Sequence, residues 1–260
     1  MATVVAPPPP IKAPEAPFQW PAIRPLLAAE WRNLAMLNYE ADPRAVEPFI
    51  PTGTELDFED GKTYVSVVGF QFQRARFCGL AVPLHTNFVE VNLRFYVRRR
   101  AADGWRRGVV FIRELAPRRA VALVANLLYG ERYLTVPMSH RIDPGAGEAP
   151  RRVEYAWRFK GRRCSVAIEA DGPAQPLAAG SHEEFIVDHY WGYSALPRGR
   201  AKEYLVAHRP WRIVPATTAT LDCDAAELYG QPLAECLRAQ PLSAFWIDGS
   251  AVRVYPGKRL

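Results

Sequence analysis

Glu90, Asn92 and Arg94 alternate with Val89, Val91, Leu93, Phe95 and Val97 over residues 88–97. A period of two is that of a β-strand, whose successive side chains point to opposite faces. An acid able to exchange a proton, an amide able to orient a ligand and a guanidinium able to hold an anion therefore share one face. Glu90 and Arg94 stand about 13 Å apart along such a strand, too far for a direct ion pair. If the face lines an interior, each charge needs another partner, because a buried unpaired charge is costly. A side chain, ordered water or a ligand would each serve. The same pattern fits an outer face in solvent; the aromatics Phe88 and Tyr96 at its ends favour a pocket.

A second constellation is Asp188-His189-Tyr190-Trp191-Gly192-Tyr193, followed by Tyr204 and His208-Arg209-Pro210-Trp211. Aromatic side chains with polar tips, interspersed with histidine, suit a pocket that grips a small polar molecule. His189, Tyr190, Tyr193 and His208 are its candidate ligand-binding residues. A core layer with satisfied hydroxyls fits these residues as well.

Other chemistry finds no support. GxGxxG, Walker, HExxH and GxSxG motifs are absent from the sequence. The five histidines (His85, His140, His182, His189, His208) are spread out; His182 and His189 lie two helical turns apart if a helix persists, which alone makes no metal site. Cys78, Cys164, Cys223 and Cys236 lack zinc spacing and read as the reduced thiols of a cytoplasmic protein. No metal and no cofactor is expected.

The elements that must position these residues come next. The 260-residue chain is 49% hydrophobic and 23% charged, which excludes wholesale disorder and allows one large core. Its net charge of +6 sits in Arg98-Arg99-Arg100, Arg106-Arg107, Arg118-Arg119, Arg151-Arg152 and Arg162-Arg163. Each cluster falls beside an expected turn or strand end, and no nucleic-acid motif accompanies them. The longest apolar runs, such as Ala120–Tyr129, are about half a membrane span, and the N-terminus is not a secretory signal. Residues 1–25 form a proline-rich tail, disordered or draped over one domain spanning 26–260.

Within that domain, Asp42 before Pro43 predicts a short helix over about Pro43–Phe49. Tyr64–Gln73, Phe88–Val97 and Gly108–Glu114 read as strands, the last two a hairpin through Ala101-Ala102-Asp103-Gly104. Arg119–Tyr129 carries a helical stripe (Val121, Val124, Ala125, Leu128) and stops at Gly130. Arg152–Lys160 and Arg163–Ala170 pair around Lys160-Gly161, and Ser181 with Glu184 forms a capping box. Further strands cover Glu203–His208, Trp211–Cys223 and Ala251–Tyr255. The fold class is mostly β (α+β), an antiparallel barrel with two or three short helices.

Several blocks then recur in order over about residues 26–257. They are Leu37-Asn38-Tyr39, Pro48-Phe49-Ile50-Pro51-Thr52-Gly53, Asn87–Arg94, Tyr190-Trp191-Gly192-Tyr193, His208-Arg209-Pro210-Trp211 and Asp248-Gly249-Ser250-Ala251-Val252. In these the chain resembles the YqjF-like family, domain of unknown function 2071, which has no established activity. The resemblance implies the fold of acetoacetate decarboxylase, a mostly antiparallel β barrel around a buried central cavity. In those decarboxylases an arginine stands seven residues before a tyrosine that leads into a short helix and a proline; Arg32, Tyr39 and Pro51 keep that spacing. The active-site glutamate would fall on Glu90. The Schiff-base lysine follows a glycine-led block and a proline, but here Gly130–Pro137 is followed by Met138. The five lysines (Lys12, Lys62, Lys160, Lys202, Lys258) are expected in the tail, turns or termini, none desolvated enough to be nucleophilic.

The expectation is a protein with a buried polar pocket for a small organic acid or carbonyl compound, working without an imine. Arg32 would hold an anionic group, and Glu90 would act as general acid or base in a lyase- or hydrolase-like reaction. Asn92, Arg94, Met138, His189, Tyr190, Tyr193 and His208 would line the pocket. Two alternatives stand beside it: non-catalytic binding or sensing of a metabolite, and nucleic-acid binding through the arginines. The partner expected is a small molecule rather than nucleic acid or membrane, with oligomerisation left open.

Overall fold

A computed structural model describes residues 20–260, without the side chains of Val124 and Leu128. Residues 1–19 of the expected tail, and those two members of the helical stripe, lie outside the described residues. Of the tail's described part, Trp20 lies under the Arg253 guanidinium at 4.2 Å, and Leu26, at the start of the expected domain, donates its backbone N–H to Val254 at 2.8 Å.

The strands run in chain order. β1 (Leu27–Ala41), β2 (Glu55–Leu56), β3 (Thr63–Phe77), β4 (Phe88–Ala101) and β5 (Gly104–Ala116) come first. β6 (Tyr133–Thr135), β7 (Met138–Asp143), β8 (Arg152–Phe159), β9 (Arg162–Ala170) and β10 (Gln175–Pro176) follow. β11 (Trp191–Leu196), β12 (Arg200–His208), β13 (Arg212–Asp222), β14 (Ser243–Val254) and β15 (Lys258–Arg259) complete them. The order β12-β11-β5-β4-β3-β1-β14 closes on itself, because β14 also pairs with β12 through Val206 opposite Val254. The result is a ring of strands, nearly all antiparallel. From β14 the sheet continues through β13, β9, β8 and β7.

Two apolar cores follow from this path. The ring's interior holds Met36, Val68, Phe70, Phe72, Tyr96 and Ile247. The alternate residues of the same strands, such as Val65, Val67, Val91, Leu93 and Phe95, face outward and pack with Val153, Trp157, Val166 and Ile168 of β8 and β9. Strands buried on both faces explain why β4 is apolar on one side and yet not solvated on the other.

Helix α1 (Pro43–Val46) starts on Asp42, whose side chain accepts the Arg44 N–H at 2.9 Å, and passes into a 3-10 turn, Glu47–Phe49. Helix α2 (Arg119–Tyr129) ends on Gly130 in the left-handed region at φ 72°. Helix α3 (His182–Val187) is capped by Ser181, which accepts the Glu184 N–H at 3.2 Å; the Glu184 carboxylate reaches back to Gly180. Because α3 ends at Val187, His189 is not on it, and the two-turn spacing from His182 does not exist. Helices α4 (Ala225–Tyr229) and α5 (Gln231–Leu237), together with β11, occupy stretches for which the sequence predicted no helix or strand. β14 begins at Ser243, well before the expected Ala251. Among the described residues no helix is long and apolar enough to cross a membrane, and no cluster of His, Cys, Asp and Glu could hold a metal ion.

Candidate functional site

The polar face of β4 points into the ring. Glu90, Asn92 and Arg94 are 2%, 3% and 7% exposed and line a cavity of about 290 Å³ whose other walls are mostly apolar: Trp31, Phe70, Phe88, Phe111, Val206 and residues of α2. Two further carboxyls, Glu114 and Glu131, line the same cavity, with Tyr133 and Tyr204.

Strand register assembles the cluster. Asn92 stands opposite Glu114 on the neighbouring strand β5, and Glu114 opposite Tyr133 on β6. A bulge makes this possible. Leu93 pairs with Arg113 but Arg94 with Phe111, so Ile112 is the extra residue. An inserted residue flips the facing of everything beyond it. Val110 and Ile112 therefore join the outer core while Phe111 and Glu114 face the cavity. Glu131 comes from the turn after α2, where left-handed Gly130 reverses the chain. The Asn126 side chain clamps the Tyr133 backbone there, accepting its N–H at 2.8 Å. Tyr204 stands opposite Gly192, and a Cβ at Gly192 would collide with the Tyr204 ring.

Glu90 accepts the Tyr133 hydroxyl at 2.6 Å and the Asn92 amide at 3.0 Å. Glu131 accepts the Tyr204 hydroxyl at 2.6 Å. Glu114 Oε2, Asn92 Oδ1 and Arg94 Nε are buried with no hydrogen-bond partner among the described residues. Arg94 donates to the Ile186 carbonyl at 3.1 Å and has no carboxylate partner among the described residues.

Burial dominates the electrostatics, because taking a carboxylate out of water favours its neutral form. It pushes Glu90 up to about 7 and Glu131 up to about 8, against the hydrogen bonds from Tyr133 and Tyr204. Glu114 rises well above the carboxylate range through burial and then through the negative charge of Glu131 and Glu90. Groups this close titrate as a set rather than one by one. Tyr133 and Tyr204 are raised by burial and stay phenols, able to donate. At neutral pH the cluster thus holds protons and a negative charge together.

The remaining sequence candidates lie elsewhere. Arg32 does not meet Glu90. It pairs with Glu30 at 2.9 Å, 39% exposed, beside an outer groove with Arg74, Arg76 and Arg209. Met138 pairs with Trp157 in the outer core. His189 is buried against the Tyr96 ring at 4.9 Å, outside the cavity lining. His208 is sandwiched between Tyr190 at 4.7 Å and Trp211 at 4.0 Å, its nitrogens facing the Arg209 and His189 carbonyls. Tyr193 donates to Glu203, a buried carboxylate also held by Arg99, Arg106 and Lys258. The aromatic constellation is thus mostly packing, and only Tyr204 of it reaches the cavity.

Lys202 corrects the reading of the lysines. It is half-buried, and burial lowers its pKa; its Nζ lies 5.5 Å from the centre of the Tyr129 ring, behind the cavity wall. No lysine, cysteine or serine is among the described lining residues. The arginine clusters are largely spent on carboxylates: Arg98 on Glu55, Arg107 on Asp57, Arg152 and Arg163 on Glu154, and Arg162 on Asp222.

A family profile described as an uncharacterized conserved protein, DUF2071, matches residues 28–250. No curated protein matches the chain in sequence. Among solved structures, the enduracididine biosynthesis enzyme MppR, complexed with the condensation product of pyruvate and imidazole 4-carboxaldehyde, superposes with a TM-score of 0.67. It is 16% identical, over 91% of this chain and 90% of that one. An acetoacetate decarboxylase-like enzyme from Sphingomonas wittichii RW1 has a TM-score of 0.63 at 13% identity, over 92% and 94% of the two chains. The acetoacetate decarboxylase of Legionella pneumophila has 0.64 at 12%, over 96% and 98%. At such identities the likeness establishes the fold, which is acetoacetate decarboxylase-like.

Proposed function

Because the chain belongs to DUF2071, a family of uncharacterized conserved proteins, we propose its function from the cavity: it binds a small oxo acid or related carbonyl compound and moves protons on it. The observation that carries this reading is the set of three buried carboxyls sharing one apolar chamber with a lone guanidinium. Burying such groups costs stability, and sites that accept that cost are enriched in function. The unpartnered atoms supply complementary roles. Arg94 Nε offers a hydrogen bond to an anionic end, and a protonated Glu114 can donate to a carbonyl oxygen. An ionised Glu90, steadied by the Tyr133 hydroxyl, would take a proton from the adjacent carbon. A neutral carboxyl and an ionised one within a single buried site is the arrangement general acid–base chemistry needs. The neighbour that holds a pyruvate condensation product supports the substrate class. Its chemistry here runs without an imine, since no lysine is among the described lining residues.

That no lysine, cysteine or serine is among the described lining residues also favours a second reading, in which the cavity binds the same compounds without turnover. One experiment separates them. The protein is incubated in D2O with pyruvate, 2-oxobutyrate and acetoacetate, and deuterium incorporation at the carbon next to the carbonyl is followed by NMR. The enzyme reading expects exchange that Glu90→Gln slows at least about 100-fold, with ligand-induced thermal stabilisation retained. Stabilisation without exchange points to a binding protein. Neither effect with any of these compounds removes both readings.

A further inference from the structure

A different set of residues meets at the other end of the ring interior. Ser243 opens β14 directly opposite Asn38 of β1, and Asn38 stands opposite Ser66 of β3. His182, the first residue of α3, is held over this row, its ring edge-on to Tyr64 at 5.1 Å. Glu59 comes from the turn before β3, closed by its backbone bridge to Lys62. His182 Nε2 lies 2.9 Å from Ser243 Oγ, and His182 Nδ1 lies 2.6 Å from Glu59 Oε2.

The direction of each hydrogen bond is set by the groups behind it. The Asn38 amide donates to Ser243 Oγ at 2.9 Å, so the hydroxyl's own hydrogen is free to point at His182 Nε2. Nδ1 then carries the ring hydrogen and donates it to Glu59. The Asn38 amide cannot turn round without loss, because Ser66 donates to its Oδ1 at 2.7 Å. With its hydrogen so used, Ser66 accepts from the Tyr96 hydroxyl at 2.5 Å. Ser243, His182 and Glu59 thus stand as a nucleophile, a base and an acid in the order of a serine triad.

We propose that Ser243, His182 and Glu59 form an acyl-transfer site that cleaves small uncharged esters with an apolar acyl group. The site is open enough to be reached: the His182 side chain is 24% exposed and Ser243 is half-buried. Phe58 and Leu242, the chain neighbours of Glu59 and Ser243, are among the few large apolar side chains left in solvent, and they suit an apolar acyl chain. Glu40 and Asp60 lie near Tyr64 together with Glu59, and although Lys62 pairs with Glu40 at 2.7 Å the carboxylates outnumber it, which disfavours an anionic substrate. None of the three triad residues lines the carboxyl cavity, so this site stands apart from the one above.

In the reaction, Ser243 Oγ attacks the ester carbonyl carbon while its proton passes to His182 Nε2, and Glu59 steadies the imidazolium. The bond to the leaving oxygen breaks, and that oxygen takes the proton from His182 to depart as an alcohol. Water, giving its proton to His182, then cleaves acyl-Ser243 to a carboxylic acid and the free serine.

The full chain is treated with an alkyl fluorophosphonate, and the adduct is located by peptide mass mapping, alongside release of p-nitrophenol from p-nitrophenyl butyrate. The expected result is one adduct on Ser243, absent from Ser243→Ala. Adduct formation and ester cleavage should fall at least about 100-fold in His182→Gln and about tenfold in Glu59→Gln, with circular dichroism unchanged. Absence of an adduct on the unaltered chain, labelling elsewhere, or equal labelling of Ser243 in a folded His182→Gln protein would overturn the assignment.

Discussion

At the scale of single residues, Glu90, Glu114 and Glu131 set the behaviour of the protein with pH. An unfolded glutamate titrates near 4.5, whereas burial lifts Glu90 to about 7 and Glu131 to about 8. Between those limits the folded state binds more protons than the unfolded one, so the free energy of unfolding falls as pH rises. The stabilisation is complete below pH 4.5 and is lost as pH climbs through 7 to 8. Glu90→Gln keeps the shape and removes one titration; its amide can meet the now unpartnered Asn92 Oδ1. Thermal unfolding is expected to show the variant equal to the parent near pH 5 and more stable at pH 8, by on the order of 2 kcal/mol or about 5 °C. A parent protein whose melting temperature is flat from pH 5 to 8 would mean that these carboxyls ionise freely when folded.

At the scale of elements, the cavity depends on where neighbouring backbones come close. β11 crosses beside β12 with Gly192 opposite Tyr204, and only a residue without a side chain leaves room for the phenol that reaches Glu131. Gly192→Ala is expected to push Tyr204 aside, costing on the order of 2 kcal/mol and leaving Glu131 without its donor. Chemical denaturation would measure the first effect. Loss of ligand-induced stabilisation in a variant that still folds would register the second. The bulge at Ile112 works in the same way, since one inserted residue delivers Glu114 to the interior and keeps Val110 and Ile112 in the outer core.

At the scale of the whole molecule, the ring is not uniformly bonded. β1, β3 and β4 pair along most of their length, whereas β11 joins β5 only through Trp191 with Gly108 and Gly192 with Val109. The second closure, β12 with β14, spans Val206 to His208. Local opening follows such thin seams. Hydrogen exchange is expected to protect the central amides of β1, β3 and β4 most, and to exchange those of Trp191–Tyr193 faster by at least about tenfold. A ligand in the cavity should slow the seam selectively, because Tyr204 and Val206 of β12 both line it. Uniform protection around the ring would contradict this.

Local physics determined a good part of this protein in advance. Alternation over residues 88–97 made β4 and put Glu90, Asn92 and Arg94 on one face, and Gly130 ended α2 where the stripe stopped. Turn residues did the same at Lys160-Gly161, where both φ values are positive. These signals lie within a few residues of each other, so the chain's own order carries them. Contacts between distant segments decided the rest. Whether the polar face of β4 looked inward depended on the ring closing through β12 and β14. Glu114 reached the cavity through a bulge that its own alternation contradicts, and Arg32 was drawn to Glu30 instead. The aromatic constellation dispersed because β11, β12 and their loops bury different faces. His182 is 123 residues of chain from Glu59 and 61 from Ser243, and only strand pairing and the seat of α3 bring the three into hydrogen-bonding reach.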